Sequence, residues 1–268
     1  MRKFLFFFIT VALLQVSCSN DDSNSPDSGN NVTLPKIIKL TDTDYPDASF
    51  TTTIKYIGNR IVSLTTEEKR TEFTYDENHI VKITTFDIRY DKNDKLSEQL
   101  YSYTDGKLAY STNVESFTPE YPAGENISKS VYTYNPDGTV KREVYNIDKK
   151  TGEETRSQHF DLLTYQNGSL VKLVSTDTSV EPSTNNTTIY EYDQKNNPFK
   201  NILGFNLLLA DEEYSPNNLI KHTSTDSVGG APVINKIKYE YNENGYATKQ
   251  NYYKTDGSTI GKITEYFY

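Results

Sequence analysis

The chain has 268 residues, with 28 Lys+Arg against 37 Asp+Glu and a formal net charge of -9. That length is enough for one large domain or two small ones with a sizeable core, and the acidic balance argues against nucleic acid, whose phosphates demand a basic stripe. The 22 Tyr, set in a chain of mean hydropathy -0.70, argue against both disorder and a helical bundle, because Tyr favours strands and can bury its ring while its hydroxyl stays wet.

Met1-Arg2-Lys3 forms a basic n-region, and Phe4 to Leu14 is apolar apart from Thr10. Such a run rises about 16 Å as a helix, half of a bilayer core, which suits a signal-peptide h-region rather than a transmembrane anchor. Val16-Ser17-Cys18 resembles the end of a bacterial lipobox, in which the cysteine becomes the lipidated first residue of the mature protein; Gln15 departs from the usual Leu. This loosened form resembles lipoproteins of the Bacteroidota. Ser19-Asn20-Asp21-Asp22 resembles the signal that exports such proteins to the outer face of the outer membrane. The resemblance implies residues 1–17 as a signal peptide, Cys18 as the lipidation site, and a lipid-anchored, cell-surface location at the outer membrane. Cys18 is the single cysteine, so its acylation would leave no thiol for a disulfide or a nucleophile. Acyl chains add about 0.8 kcal/mol per buried methylene, so several of them anchor firmly. Residues 18–33 are Ser, Asn, Asp, Gly and Pro with almost nothing apolar, the composition of a disordered tether.

Residues 34–268 carry a repeat. An aromatic-x-Tyr is followed by three to five turn-forming residues, then an aliphatic residue and often Lys or Arg two places later. Phe73-Thr74-Tyr75 leads to Ile80, Tyr101-Ser102-Tyr103 to Leu108, Tyr132-Thr133-Tyr134 to Val140, and Leu163-Thr164-Tyr165 to Leu170. Ile54-Lys55-Tyr56, Tyr190-Glu191-Tyr192 and Tyr239-Glu240-Tyr241 continue the series, and Tyr266-Phe267-Tyr268 ends it. Lys236 to Tyr241 alternates strictly, which puts Ile237, Tyr239 and Tyr241 on one face and the charges on the other. Asp-Gly and Asn-Gly pairs supply the positive φ of tight turns, and a second turn series (Asp148 to Gly152, Thr255 to Ser258) reverses the chain at the opposite end. The expectation is an all-β antiparallel meander of roughly 16 strands, curled into an open barrel or spiral sheet with its Tyr face inward.

The unit resembles the YD repeat of the RHS proteins, with Tyr75-Asp76 and Tyr192-Asp193 carrying the dipeptide literally. The chain is too short for the RHS shell, and is more similar to small, uncharacterised YD-repeat-like surface lipoproteins of the Bacteroidota. Asn197-Pro198-Phe199-Lys200 looks like a motif of that group. The resemblance implies no activity.

Pro198 to Ala210 breaks the alternation. Asn197 as N-cap and Pro198 at the first position predict a short helix near 198–210 with Ile202, Phe205 and Leu209 on one face, weakened by Gly204. As a plug it would close one end of the sheet.

Chemistry is sparse. His79, His159 and His222 are widely separated and lack metal-ligand spacing. Asp91 to Lys95 starts like a calcium loop but lacks the central Gly and closing Glu. No nucleotide, hydrolase or metalloprotease motif occurs. Catalytic residues, metal sites and cofactors are therefore expected to be none. Asp226-Ser227-Val228 resembles a Bacteroidota O-glycosylation acceptor, which would make Ser227 a modification site. The leading expectation is a non-catalytic structural or binding module, held to the membrane through Cys18, with a glycan or protein ligand and no nucleic acid. Two alternatives remain open: a glycan-acting hydrolase with unidentified carboxylates, and a carrier of an apolar ligand in a hollow sheet.

Overall fold

The computed structural model describes residues 32–209 and 214–268. Cys18 and nearly all of the tether lie outside them. The described chain is a meander in which each strand pairs with its sequence neighbours. The first half comprises β1 (Ile37–Asp42), β2 (Phe50–Ile57), β3 (Arg60–Thr65), β4 (Lys69–Asp76), β5 (His79–Asp87), β6 (Asp94–Thr104), β7 (Lys107–Glu115) and β8 (Asn126–Tyr134). The second half comprises β9 (Thr139–Ile147), β10 (Glu154–Gln166), β11 (Ser169–Asp177), β12 (Thr184–Tyr192), β13 (Leu219–Asp226), β14 (Val233–Tyr241), β15 (Ala247–Tyr253) and β16 (Ile260–Phe267). The all-β meander is curled into a barrel, as the sequence implies, and that barrel is closed rather than open or spiral. Closure comes from β16, which returns to pair antiparallel with β1, Ile38 opposite Tyr266 and Asp42 opposite Lys262. It removes both edges, which would otherwise expose unpaired backbone groups.

The repeat has a specific structural meaning. In β2, β4, β6, β10, β12 and β14 the register shifts immediately before the tyrosine that ends the motif. Thr74 faces Lys82, for example, but Tyr75 faces Ile80, so Val81 is the extra residue of a bulge. The bulge turns the aliphatic residue inward beside the tyrosine and frees backbone groups from the ladder. The tyrosine of the next unit takes one of them. Tyr103 donates its hydroxyl to the Ile80 carbonyl at 2.9 Å, Tyr134 to Leu108 at 3.1 Å, Tyr192 to Leu170 at 2.9 Å and Tyr268 to Ala247 at 2.7 Å. Tyr239 does the same to Leu219 at 3.0 Å. At these positions the motif staples a hairpin to the one before it, while Ile80, Leu108, Leu163 and Leu170 are buried behind the rings.

The hairpin turns follow the residues that form them. Asp105-Gly106 (φ 51° and 72°) and Asn167-Gly168 (φ 51° and 82°) are two-residue turns with both central residues left-handed, the geometry that matches strand twist.

Residues 197–209 lie across these turns and plug that end of the barrel. The segment is not the expected helix. It is a run of i to i−3 turns containing one three-residue 3₁₀ stretch, Phe205–Leu207. Gly204 is the cause: its φ of +80° breaks a right-handed helix, and a Cβ there would sit 3.0 Å from the Asn78 carbonyl oxygen. Asn197 does act at the start, its Oδ1 accepting from the Phe199 amide at 2.8 Å. Ile202, Phe205 and Leu208 enter the core against Ile54, Ile61 and Ile80, while Leu209 packs on the cluster that holds Leu163 and Leu170. Several bonds seat the plug, among them the Leu203 amide donating to the Asn59 carbonyl at 3.0 Å and the Tyr75 hydroxyl to the Leu203 carbonyl at 3.1 Å.

Candidate functional site

Strand pairing sorts every side chain to the lumen or to the outside. On the plugged half the lumen holds two hydrophobic clusters. One gathers the plug with β2, β3 and β5, and the other gathers Val140, Leu163, Leu170, Tyr190, Leu219 and Ile237. On the other half the lumenal wall turns polar. Arg142 meets Asp161 at 2.8 Å, Ser175 donates to the same carboxylate at 2.6 Å, and Thr188 and Ser224 share a hydrogen bond of 2.9 Å. Burial raises the phenol pKa of Tyr56, Tyr101, Tyr103, Tyr239 and Tyr268, since a phenolate would lose its hydration.

The outer wall mixes charges with exposed apolar residues such as Leu100, Tyr110, Ile189 and Ile234. Lys39, Lys55, Glu98, Lys172 and Glu191 project outward from successive regions of the sheet, each opposite another outward residue. Several outward charges are paired across strands: Lys221 with Glu191 at 2.7 Å, Lys249 with Glu240 at 3.4 Å, and Lys129 with Glu154 at 2.8 Å.

The plug does not fill the lumen. Beside it lies a cavity of about 370 Å³, with Phe205 at its floor, Ile61 and Phe73 on one side, Leu40 and Phe50 above, and Lys262 nearest the rim. A smaller cavity of about 250 Å³ shares Phe199, Gln250, Tyr252 and Tyr266 with it. The smaller one is more polar, being lined also by His222 and by Asn218, whose Oδ1 has no partner among the described residues. The Asn218 amide nitrogen is held by Asp193 at 3.1 and 3.2 Å. Asp193 also accepts from the Tyr241 hydroxyl, and burial together with that carboxylate raises the Tyr241 pKa.

The residues singled out from sequence do not converge. His79 packs on Tyr103 at 4.6 Å, His159 lies 3.8 Å from Asp177, and His222 stacks near Tyr190 at 6.1 Å. Among the described residues no group of three or more His, Cys, Asp or Glu side chains could hold a metal. Ser227 sits in the exposed β13–β14 loop, where its Oγ accepts from the Asn185 amide at 2.7 Å. Lys262 and Phe50 were not legible as site residues: only closure of β16 onto β1 places them on one cavity wall.

No family model matches the chain, and no curated protein matches it. Among solved structures it is similar to a porin-like protein from Bacteroides vulgatus ATCC 8482, at 12% identity and a TM-score of 0.59, covering 88% of this chain and 99% of that one. At that identity the likeness is one of fold. The barrel is compatible with an outer-membrane location.

Proposed function

We propose that this chain is a lipid-anchored surface lipoprotein of the outer membrane, related to the YD-repeat-like lipoproteins, whose barrel stands in water as a non-catalytic binding module. The carrying observation is the polarity of the wall. A membrane-spanning barrel turns an apolar band outward and keeps polar side chains in its lumen. Here Ile80, Leu163 and Tyr190 pack inside the plugged half, and the outer wall carries Lys172, Glu191 and Lys221 among its apolar residues instead of an unbroken apolar band. Each Lys or Arg on a lipid-facing wall costs about 2–4 kcal/mol at the bilayer midplane. A barrel of this kind needs another means of attachment, and the lipobox-like Val16-Ser17-Cys18 offers one. The described chain enters the barrel at the plugged end, where the Thr33 carbonyl accepts from Asn201 at 3.0 Å.

Metabolic labelling with an alkyne fatty acid, followed by protease treatment of intact cells, tests the proposal. Labelled wild type, unlabelled Cys18→Ser and cleavage in intact cells are expected. A wild-type chain that takes up no label would overturn the anchor. A barrel shielded in intact cells but cut after lysis would overturn surface exposure.

A further inference from the structure

We propose that the larger lumenal cavity binds a single-chain anionic amphiphile, a fatty acid of about ten to twelve carbons, tail against the plug and carboxylate at Lys262.

The tail is indicated by the lining. Ile61, Leu64, Phe73 and Phe205 form the deep part and Leu40 and Phe50 the upper part, while polar groups are confined to Thr52, Thr264, Gln250 and tyrosine hydroxyls. A sugar would leave most of its hydroxyls without partners in such a wall, which costs affinity steeply. An alkyl chain loses nothing there.

The length is indicated by the register. Lys262 lies opposite Asp42, Thr264 opposite Leu40, and Tyr266 opposite Ile38, in steps leading from the rim toward the plug. The four residue steps from Lys262 to Tyr266 span about 13 Å, which a chain of roughly ten carbons fills when extended. The volume, about 370 Å³, accommodates one such chain rather than a two-chain lipid.

The head is indicated by charge. Lys262 is the one charged side chain lining the cavity among the described residues. Its nearest acid, Asp42, is 3.9 Å away, the far limit of an ion pair, and Asp42 Oδ1 already accepts from the Asp44 and Tyr45 amides at 3.0 and 2.9 Å. The neighbouring Lys254 and Asp44 are paired with each other at 2.5 Å. The Lys262 side chain is 57% exposed, so its ammonium can swing to a carboxylate at the mouth.

This inference deepens the binding-module reading but does not depend on acylation. It is tested on the full chain carrying Cys18→Ser, which removes any acyl group that would compete. Calorimetric titration with laurate, dodecanol and dodecyltrimethylammonium, each below micelle formation, is the measurement. Laurate is expected to bind one to one, and dodecyltrimethylammonium at least about tenfold more weakly. Lys262→Gln should weaken laurate about tenfold and leave dodecanol unchanged. Leu64→Trp, which fills the cavity, should abolish binding of all three. If circular dichroism shows that Leu64→Trp does not fold, the selective effect of Lys262→Gln decides. Failure of laurate to bind, equal or tighter binding of the cationic amphiphile, or an unchanged laurate affinity in Lys262→Gln would overturn the proposal.

Discussion

On β14, Ile237, Tyr239 and Tyr241 face the lumen, while Lys236, Lys238 and Glu240 face outward. One ribbon thus makes two walls from alternate residues. The inner wall is held by packing and by hydroxyls that reach backbone carbonyls of the preceding hairpin. The outer wall is held by the ladder, by exposed ion pairs worth about 0–1 kcal/mol each, and by cation–π contacts such as Lys129 on Tyr110 and Lys141 on Phe160. The difference teaches that a closed antiparallel barrel does not by itself say which side meets lipid. The fold is shared with a porin-like protein, but here the side chains put the hydrophobic core where a pore would be.

The contrast can be broken most severely at high pH. Buried phenols have raised pKa values because folding desolvates them, so the folded state binds protons more tightly than the unfolded one. The stability this contributes is fully present below the ordinary tyrosine value of 10.0 and is lost as pH rises above it. Alkaline titration followed by circular dichroism should show cooperative unfolding accompanied by tyrosinate absorbance. Tyrosinate appearing gradually, with the fold intact, would mean the rings are wet.

The next largest effect separates the walls directly. Ile80→Ala should cost about 2–5 kcal/mol through the cavity it leaves, whereas Lys172→Ala should stay within about 0.5 kcal/mol. Urea unfolding measures both, and comparable losses would erase the distinction. A third comparison concerns glycines. Gly138 has a φ of 86°, and a Cβ added there would meet no heavy atom within 4 Å, so Gly138→Ala should cost about 1–2 kcal/mol from the left-handed backbone alone. Gly204→Ala should cost more, because it adds the approach to the Asn78 carbonyl. The smallest effect is that of a single staple. Tyr134→Phe removes the bond to the Leu108 carbonyl and should cost about 1 kcal/mol, and Tyr165→Phe less, since its bond to Leu209 is 3.4 Å long.

Much of the fold was legible because it is local. Alternation over Lys236 to Tyr241 fixes an inner and an outer face, and Asp105-Gly106 or Asn167-Gly168 fixes a turn, all within a few residues. What escaped depends on distant partners. Closure needs Ile38 to meet Tyr266, and the helix expected after Asn197 fails because Gly204 packs on Asn78, a residue of another hairpin. The purpose of the tyrosine hydroxyls was equally hidden, since their acceptors are bulge carbonyls one repeat away. The cavity draws Lys262, Phe50, Phe73 and Phe205 from four separate segments. No spacing in the sequence announces that grouping.

The most direct test places a nitroxide spin label on the outer wall, at Lys172→Cys, Glu191→Cys and Lys221→Cys, and measures its collisions with oxygen and with a water-soluble nickel chelate in native membranes. All three sites should favour the nickel chelate, as positions bathed in water do. Oxygen collisions dominating at these positions, with the nickel chelate excluded, would put the wall in lipid and contradict the account.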